Sequence, residues 1–140
     1  MHPVWYYSYG RGRAIVIYIY KAELIRVVDG DTVDLIIDLG FDTFRHERFR
    51  LYGIDAPEMR TKAGKEAKAW LWEVLQPLEA IYVQTIQLET KVKRDKYGRF
   101  LAVLYREFGD VRTKLPEKRL ALESINSEMI EVGHAKERYW

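Results

Sequence analysis

Cysteine is absent from this chain, which excludes disulfide bracing and thiolate metal sites. Asparagine is nearly absent as well, with Asn126 the single one. No stretch approaches the ~18 apolar residues that a membrane span needs. The most apolar run, Ala14-Ile15-Val16-Ile17-Tyr18-Ile19-Tyr20, is too short, and its tyrosines and β-branched residues read as strand. Arg11 and Arg13 precede it as they would in a signal peptide, but no small-residue cleavage site follows, so a cytoplasmic setting is favoured. A strong charge excess is missing too: the formal net charge is +2, which by itself points to no nucleic-acid partner.

What is present is enough for one folded domain, 140 residues with 48% hydrophobic content. Residues 1–13 carry Trp5, Tyr6, Tyr7 and Tyr9 without clear periodicity and read as an irregular N-terminal arm, leaving residues 14–140 as the domain. Strand-like runs cover about 14–28, 32–39 and 43–54, with Asp29-Gly30 as a hairpin signal and Gly40 before the third run. Residues 64–75 place Ala67, Leu71, Val74 and Leu75 at helical spacing, and Pro77 closes the segment. Two more strand-like runs lie at about 79–89 and 99–106. A charged stretch over 107–117 reads as loop, and 118–132 as a helix or two short ones with Gly133 beyond the C-terminus. Five strands with a helix between the third and fourth is the order of the OB-fold, a small Greek-key β-barrel with helices (α+β).

Polar residues punctuate this pattern at a few places. Asp31 follows Gly30 in the first turn. Arg50 lies in the third strand of Phe49-Arg50-Leu51-Tyr52-Gly53-Ile54, Asp55 ends that run, and Pro57 breaks the chain before Glu58. Lys91, Lys93, Arg94, Lys96 and Arg99 set five cations around Tyr97 and one anion, Asp95, a patch able to follow a phosphate backbone. Singly, each has an ordinary explanation: a good turn, a strand end, an anion at a helix start, a solvated loop.

Together they do not. The segments VVDGDTVDL (27–35), FRLYGIDAPE (49–58) and DKYGRFLAVLY (95–105) occur in the order of the thermonuclease family, the staphylococcal-nuclease-like domains, which this chain resembles over about 21–106 and 124–139. INSEMIEVGHAKERY (125–139) is similar to the family helix that begins with asparagine, and Asn126 falls on that position. The resemblance implies a Ca²⁺-dependent nuclease acting on single-stranded DNA or RNA and leaving 3′-phosphate ends. It places Asp31, Asp55 and the carbonyl of Ala56 as metal ligands, and Arg50 and Arg99 on the scissile phosphate. It also places Glu58 as general base, and Lys96, Tyr97 and Tyr139 against a terminal phosphate or a base.

These residue types suit those roles. A hard dication prefers oxygen ligands, arginine presents a planar fork that fits phosphate oxygens and stays charged, and a carboxylate can take a proton from water. Two rivals stand beside the nuclease reading. One is a catalytically weak or inactive module of the same fold that binds nucleic acid or a protein partner; the other is a generic OB-fold binder of single strands. Asp31, Arg50, Asp55, Glu58 and Arg99 occurring together argue against the first, and the clustered carboxylates against the second. The resemblance also has departures: a short loop after Glu58, an insertion over 107–123, and no counterpart of the family's final helix. That last difference leads us to expect the N-terminal arm, or a second subunit in a homodimer, to cover apolar surface left by that helix.

Overall fold

The structure, a computed structural model, describes the backbone of residues 4–10, 13–86, 91–110, 120 and 123–139, and among these the side chains from Tyr18 onward, residue 110 excepted. In chain order its elements are β1 (Val4–Gly10), β2 (Arg13–Asp29), β3 (Thr32–Asp38), β4 (Phe44–Leu51) and β5 (Ile54–Asp55). Helix α1 (Lys62–Leu75), β6 (Ile81–Thr85), β7 (Phe100–Tyr105), α2 (Ile125–Glu131) and β8 (Lys136–Glu137) follow.

Strands β2, β3, β4, β7 and β6 run side by side in that order, and β6 returns to pair with β2, closing a five-stranded OB-type barrel. Every ladder in it is antiparallel except β4 with β7. That parallel pair needs a long crossover, which β5, α1 and β6 supply. β2 carries two register shifts, between Leu24 and Arg26 and between Val27 and Asp29. Such irregularities bend a strand and re-aim its end, and here the re-aimed end is Asp29, beside the candidate site. Inside the barrel, Val33, Leu35, Leu51, Val83 and Leu104 meet Leu71 and Leu75 of α1 and Met129 of α2.

The helix expected from residue 64 starts earlier because Thr61 caps it, accepting a hydrogen bond from the Gly64 N–H at 3.0 Å. The helix expected over 118–132 is shorter where it is described. Ser124 caps α2, accepting from the Ser127 N–H, and Gly133 at φ 85 ends it; most of 118–122 lies outside the described residues. The expectation of an irregular arm is corrected. Residues Val4–Gly10 form β1, antiparallel to the first half of β2 from Val4 opposite Ile19 to Gly10 opposite Arg13. Aromatic residues favour the pleated surface of a strand, so a ladder partner was enough to order this segment. What the arm's side chains cover lies outside the described residues.

Candidate active site

Arg50 organises the site. The β3–β4 ladder sets it opposite Thr32, and its side chain is only 8% exposed. A buried cation is costly unless it is paired and hydrogen-bonded, and Arg50 is both. One terminal nitrogen pairs with Asp31 Oδ2; the other reaches Asp55 Oδ1 and the Ile54 carbonyl, each at 3.2 Å.

Asp31 is fixed from several directions. Its own N–H donates to Asp29 Oδ1 at 3.0 Å, the Ala56 N–H donates to its Oδ2 at 3.0 Å, and the Thr32 hydroxyl lies 3.2 Å from its Oδ1. Gly30 earns its place in this turn by close approach rather than by an unusual backbone angle: a Cβ there would come within 2.7 Å of the Ala56 Cβ and 2.9 Å of the Ala67 Cβ. The turn is thereby seated against both the β5 end and α1. Burial by itself would raise the Asp31 carboxyl, but hydrogen bonds from Asp29, Arg50 and the Ala56 N–H outweigh it and hold the group below its ordinary value. Asp29 goes the other way, raised first by burial and then by its contact with Asp31. Asp31 therefore keeps its negative charge while its neighbour is driven toward protonation.

Arg99 arrives from the loop before β7. Its Nε bonds Asp95 Oδ2 at 2.5 Å, and one terminal nitrogen donates to the Thr32 hydroxyl at 3.2 Å, so Thr32 links Arg99 to Asp31. Asp95 also accepts the Tyr97 and Arg99 N–H groups at 2.9 Å. Burial pushes Asp95 up, yet these bonds to Arg99 and Tyr97 leave it below the usual carboxylate range.

A cavity of about 460 Å³ opens over this set, lined by Arg50, Asp55, Asp95, Lys96, Tyr97, Arg99 and Arg138. Four cations against two carboxylates make its wall positive, suited to an anionic ligand. Asp31, Arg50, Asp55, Ala56 and Arg99 are thus gathered, and Lys96 and Tyr97 stand at the rim. Glu58 and Tyr139 are not in the described lining. The Glu58 side chain is 69% exposed and bonds Arg60 Nε at 2.5 Å. Tyr139 packs edge-on against Tyr52 with ring centroids 5.5 Å apart, and burial, followed by the Glu137 carboxylate, pushes its hydroxyl up to about 12.

Sequence reasoning missed Asp95 as the brace of Arg99, and missed Arg138. The signal for Asp95 was its place as the one anion in a basic patch. Arg138 had none: β5 pairs with β8, and the Arg138 N–H then donates to the Gly53 carbonyl at 2.9 Å. This register sends Arg138 to Asp55 Oδ2 at 3.1 Å and its neighbour Tyr139 to Tyr52.

Among the described residues no three His, Cys, Asp or Glu side chains form a metal-binding group. A cation held here would rest on the Asp31 and Asp55 carboxylates, the Ala56 carbonyl and water. That all-oxygen set fits the chemistry of a hard dication and offers nothing to a soft one.

The family model described as staphylococcal nuclease homologue matches residues 48–140. Over 116 residues the chain is 30% identical to a micrococcal nuclease of Shigella flexneri, covering 83% of this chain and 57% of that protein. It is 29% identical over 115 residues to Protein ParB of Escherichia coli, covering 82% of this chain and 55% of that one. The chain therefore spans a little over half the length of these relatives. Asp31 lies before the family match, so its place in the site rests on the barrel geometry above.

Proposed function

The chain belongs to the staphylococcal nuclease homologue family, and from that premise we propose that it is a Ca²⁺-dependent nuclease hydrolysing phosphodiesters of DNA or RNA with water, leaving 3′-phosphate ends. The observation that carries the reading is that Arg50, Arg99 and Asp55 line one positive cavity, with Asp31 paired to Arg50. Asp31, Asp55 and the Ala56 carbonyl would hold the dication, which when bound supplies charge withdrawal from a phosphate oxygen and a more acidic water.

The chain's own groups do the rest. Arg50 and Arg99 bind the scissile phosphate, and their pairing to Asp31, Asp55, Asp95 and Thr32 sets their orientation before substrate arrives. As water oxygen bonds to phosphorus and the P–O5′ bond breaks, negative charge grows on the equatorial oxygens where these two forks are aimed. Removing one such donor typically costs about 10²–10³ in rate. Glu58 takes the proton from the attacking water, and the departing 5′ oxygen takes one from solvent. For this Glu58 must leave Arg60, and an exposed pair of that kind is worth only about 0–1 kcal/mol. The turned-out position of Glu58 also favours a second reading, a module that binds nucleic acid and cleaves it weakly or not at all.

Incubation with single-stranded DNA and RNA, with Ca²⁺ or with EDTA, decides between them. Cleavage that needs Ca²⁺, produces 3′-phosphates and disappears in Asp31→Ala supports the nuclease. Cleavage persisting in EDTA removes the metal from the reading, and binding without cleavage under all conditions supports the module.

A further inference from the structure

We propose that Arg94, laid on the Phe100 ring with Arg45 beside it, forms a second phosphate-binding site on the face of the 94–100 hairpin turned away from the cavity. It takes a backbone phosphate of the same nucleic-acid strand, beyond the part held in the cavity. The inference rests on the nucleic-acid partner that both readings above share, and extends it to the length of strand gripped.

The hairpin builds this site. Arg94 and Phe100 pair across it, the Asp95 N–H donates to the Arg99 carbonyl at 2.8 Å, and Gly98 turns the chain at φ 85. Successive residues of an extended segment point to opposite faces. Arg99 accordingly reaches Thr32 at the cavity, while Phe100 packs on the buried Phe49 ring with centroids 6.2 Å apart. Phe100 is thus anchored on the core, and the Arg94 guanidinium carbon lies 4.1 Å from its ring centre. Arg45 comes to the same ring from β4, at 5.9 Å, and pairs with Glu47 at 2.5 Å. Neither arginine lines the cavity.

Stacking engages the flat face of a guanidinium and leaves its N–H donors directed outward around its edge. Arg48, Arg50 and Arg99 each spend donors on an aspartate. Arg94 is exposed, and among the described residues no acceptor takes its side-chain donors; its one contact is the ring beneath it. Two guanidinium groups against the single Glu47 carboxylate leave this face positive. Phosphate is the partner that such a fork fits best.

The hairpin tip joins this face to the cavity. Tyr97 there is 72% exposed and carries Lys96 and Arg99 at 5.1 and 5.4 Å from its ring centre. Cations interleaved with aromatic rings are the means by which proteins track single strands. A strand leaving the cavity over Tyr97 meets Arg94 on the far side.

The test measures binding of fluorescent thymidine trimer and dodecamer to the full chain across a KCl series, in EDTA so that no strand is cut. Arg94→Ala is first checked for an unchanged melting temperature. We then expect it to bind the dodecamer about tenfold more weakly, with a smaller loss on the trimer. Its log–log salt slope for the dodecamer should be shallower by about 0.7, one single-strand phosphate contact. Arg94→Lys keeps the charge without the fork, so its slope should match the wild type and its affinity should lie between the two.

A dodecamer slope unchanged in Arg94→Ala would overturn the proposal. Equal losses on trimer and dodecamer would overturn it as well, by placing Arg94 within the grip of the cavity. A wild type that binds neither oligonucleotide would instead overturn the nucleic-acid reading beneath it.

Discussion

Two buried polar hubs lie close together at the β4–β7 joint, and they use burial in opposite ways. Asn126 is fully buried, accepts the Leu104 N–H at 3.0 Å, and donates to the Tyr52 and Ala102 carbonyls at 2.9 and 3.0 Å. It is neutral, both its amide hydrogens are used, and it seams α2 to β7 and to the turn after β4. Arg50 is almost as buried, but it is charged, shared between two carboxylates, and faces a cavity. A satisfied neutral hub rigidifies. A charged hub kept at a cavity wall retains a field that a ligand can use. Burial alone does not separate structure from function here; what separates them is charge and an open side.

The largest expected break in this comparison is Arg50→Ala. It strands Asp31 and its neighbours without their cation, and removing one partner of a buried pair costs about 3–5 kcal/mol. Chemical denaturation should show that loss and turnover should vanish, whereas Arg50→Lys should keep most of the stability and lose about 10²-fold in kcat. Stability unchanged in Arg50→Ala would show that the pairs seen here contribute nothing.

Asn126→Ala comes next. It takes away the acceptor of the buried Leu104 N–H and one donor each from the Tyr52 and Ala102 carbonyls, the latter keeping the Tyr52 N–H, for a loss of about 1–3 kcal/mol. At a temperature where the variant remains folded, kcat should stay within about twofold of wild type. A fall in kcat like that of Arg50→Lys would merge the two hubs into one functional unit.

The smallest effect sharpens the comparison through pH. Asp95 has its carboxyl held below the ordinary 3.8 in the folded state. A depressed folded value means the group binds protons more readily when unfolded. Its stabilisation is therefore present above about pH 3.8 and is lost as pH falls through the lower folded value. Asp95→Asn should lower the melting temperature by a roughly constant amount above pH 5 and flatten the acid limb, the difference from wild type shrinking as pH falls. An identical acid limb in the variant would assign it to other carboxylates.

The parts of the site that were legible in the chain are those lying close in sequence or on one motif. Asp29-Gly30-Asp31-Thr32 announced a hairpin, and a hairpin it is, though the reason for Gly30 is its packing against Ala56 and Ala67, which no local rule contains. Arg50 and Asp55 sit five positions apart on one motif across a strand end, and they meet. Glu58 was placed by motif alone, and its side chain lies with Arg60, two residues on. β1 was illegible because its strand character depends on the ladder it makes with β2.

By itself, then, the sequence determined the barrel, its strand order and the family to which the chain belongs, because alternation, turn residues and helix spacing are local and each is written in consecutive residues. Tertiary structure decided which cations share the cavity. Strand β8 meets β5 from more than eighty residues away, and side chains alternate across a strand with a period of two. A shift of one residue in that pairing would send Tyr139 to Asp55 and Arg138 away from it. No rule read along the chain specifies that register; it is set by the packing of Tyr139 on Tyr52 and Gly53, and with it comes the third arginine of the site.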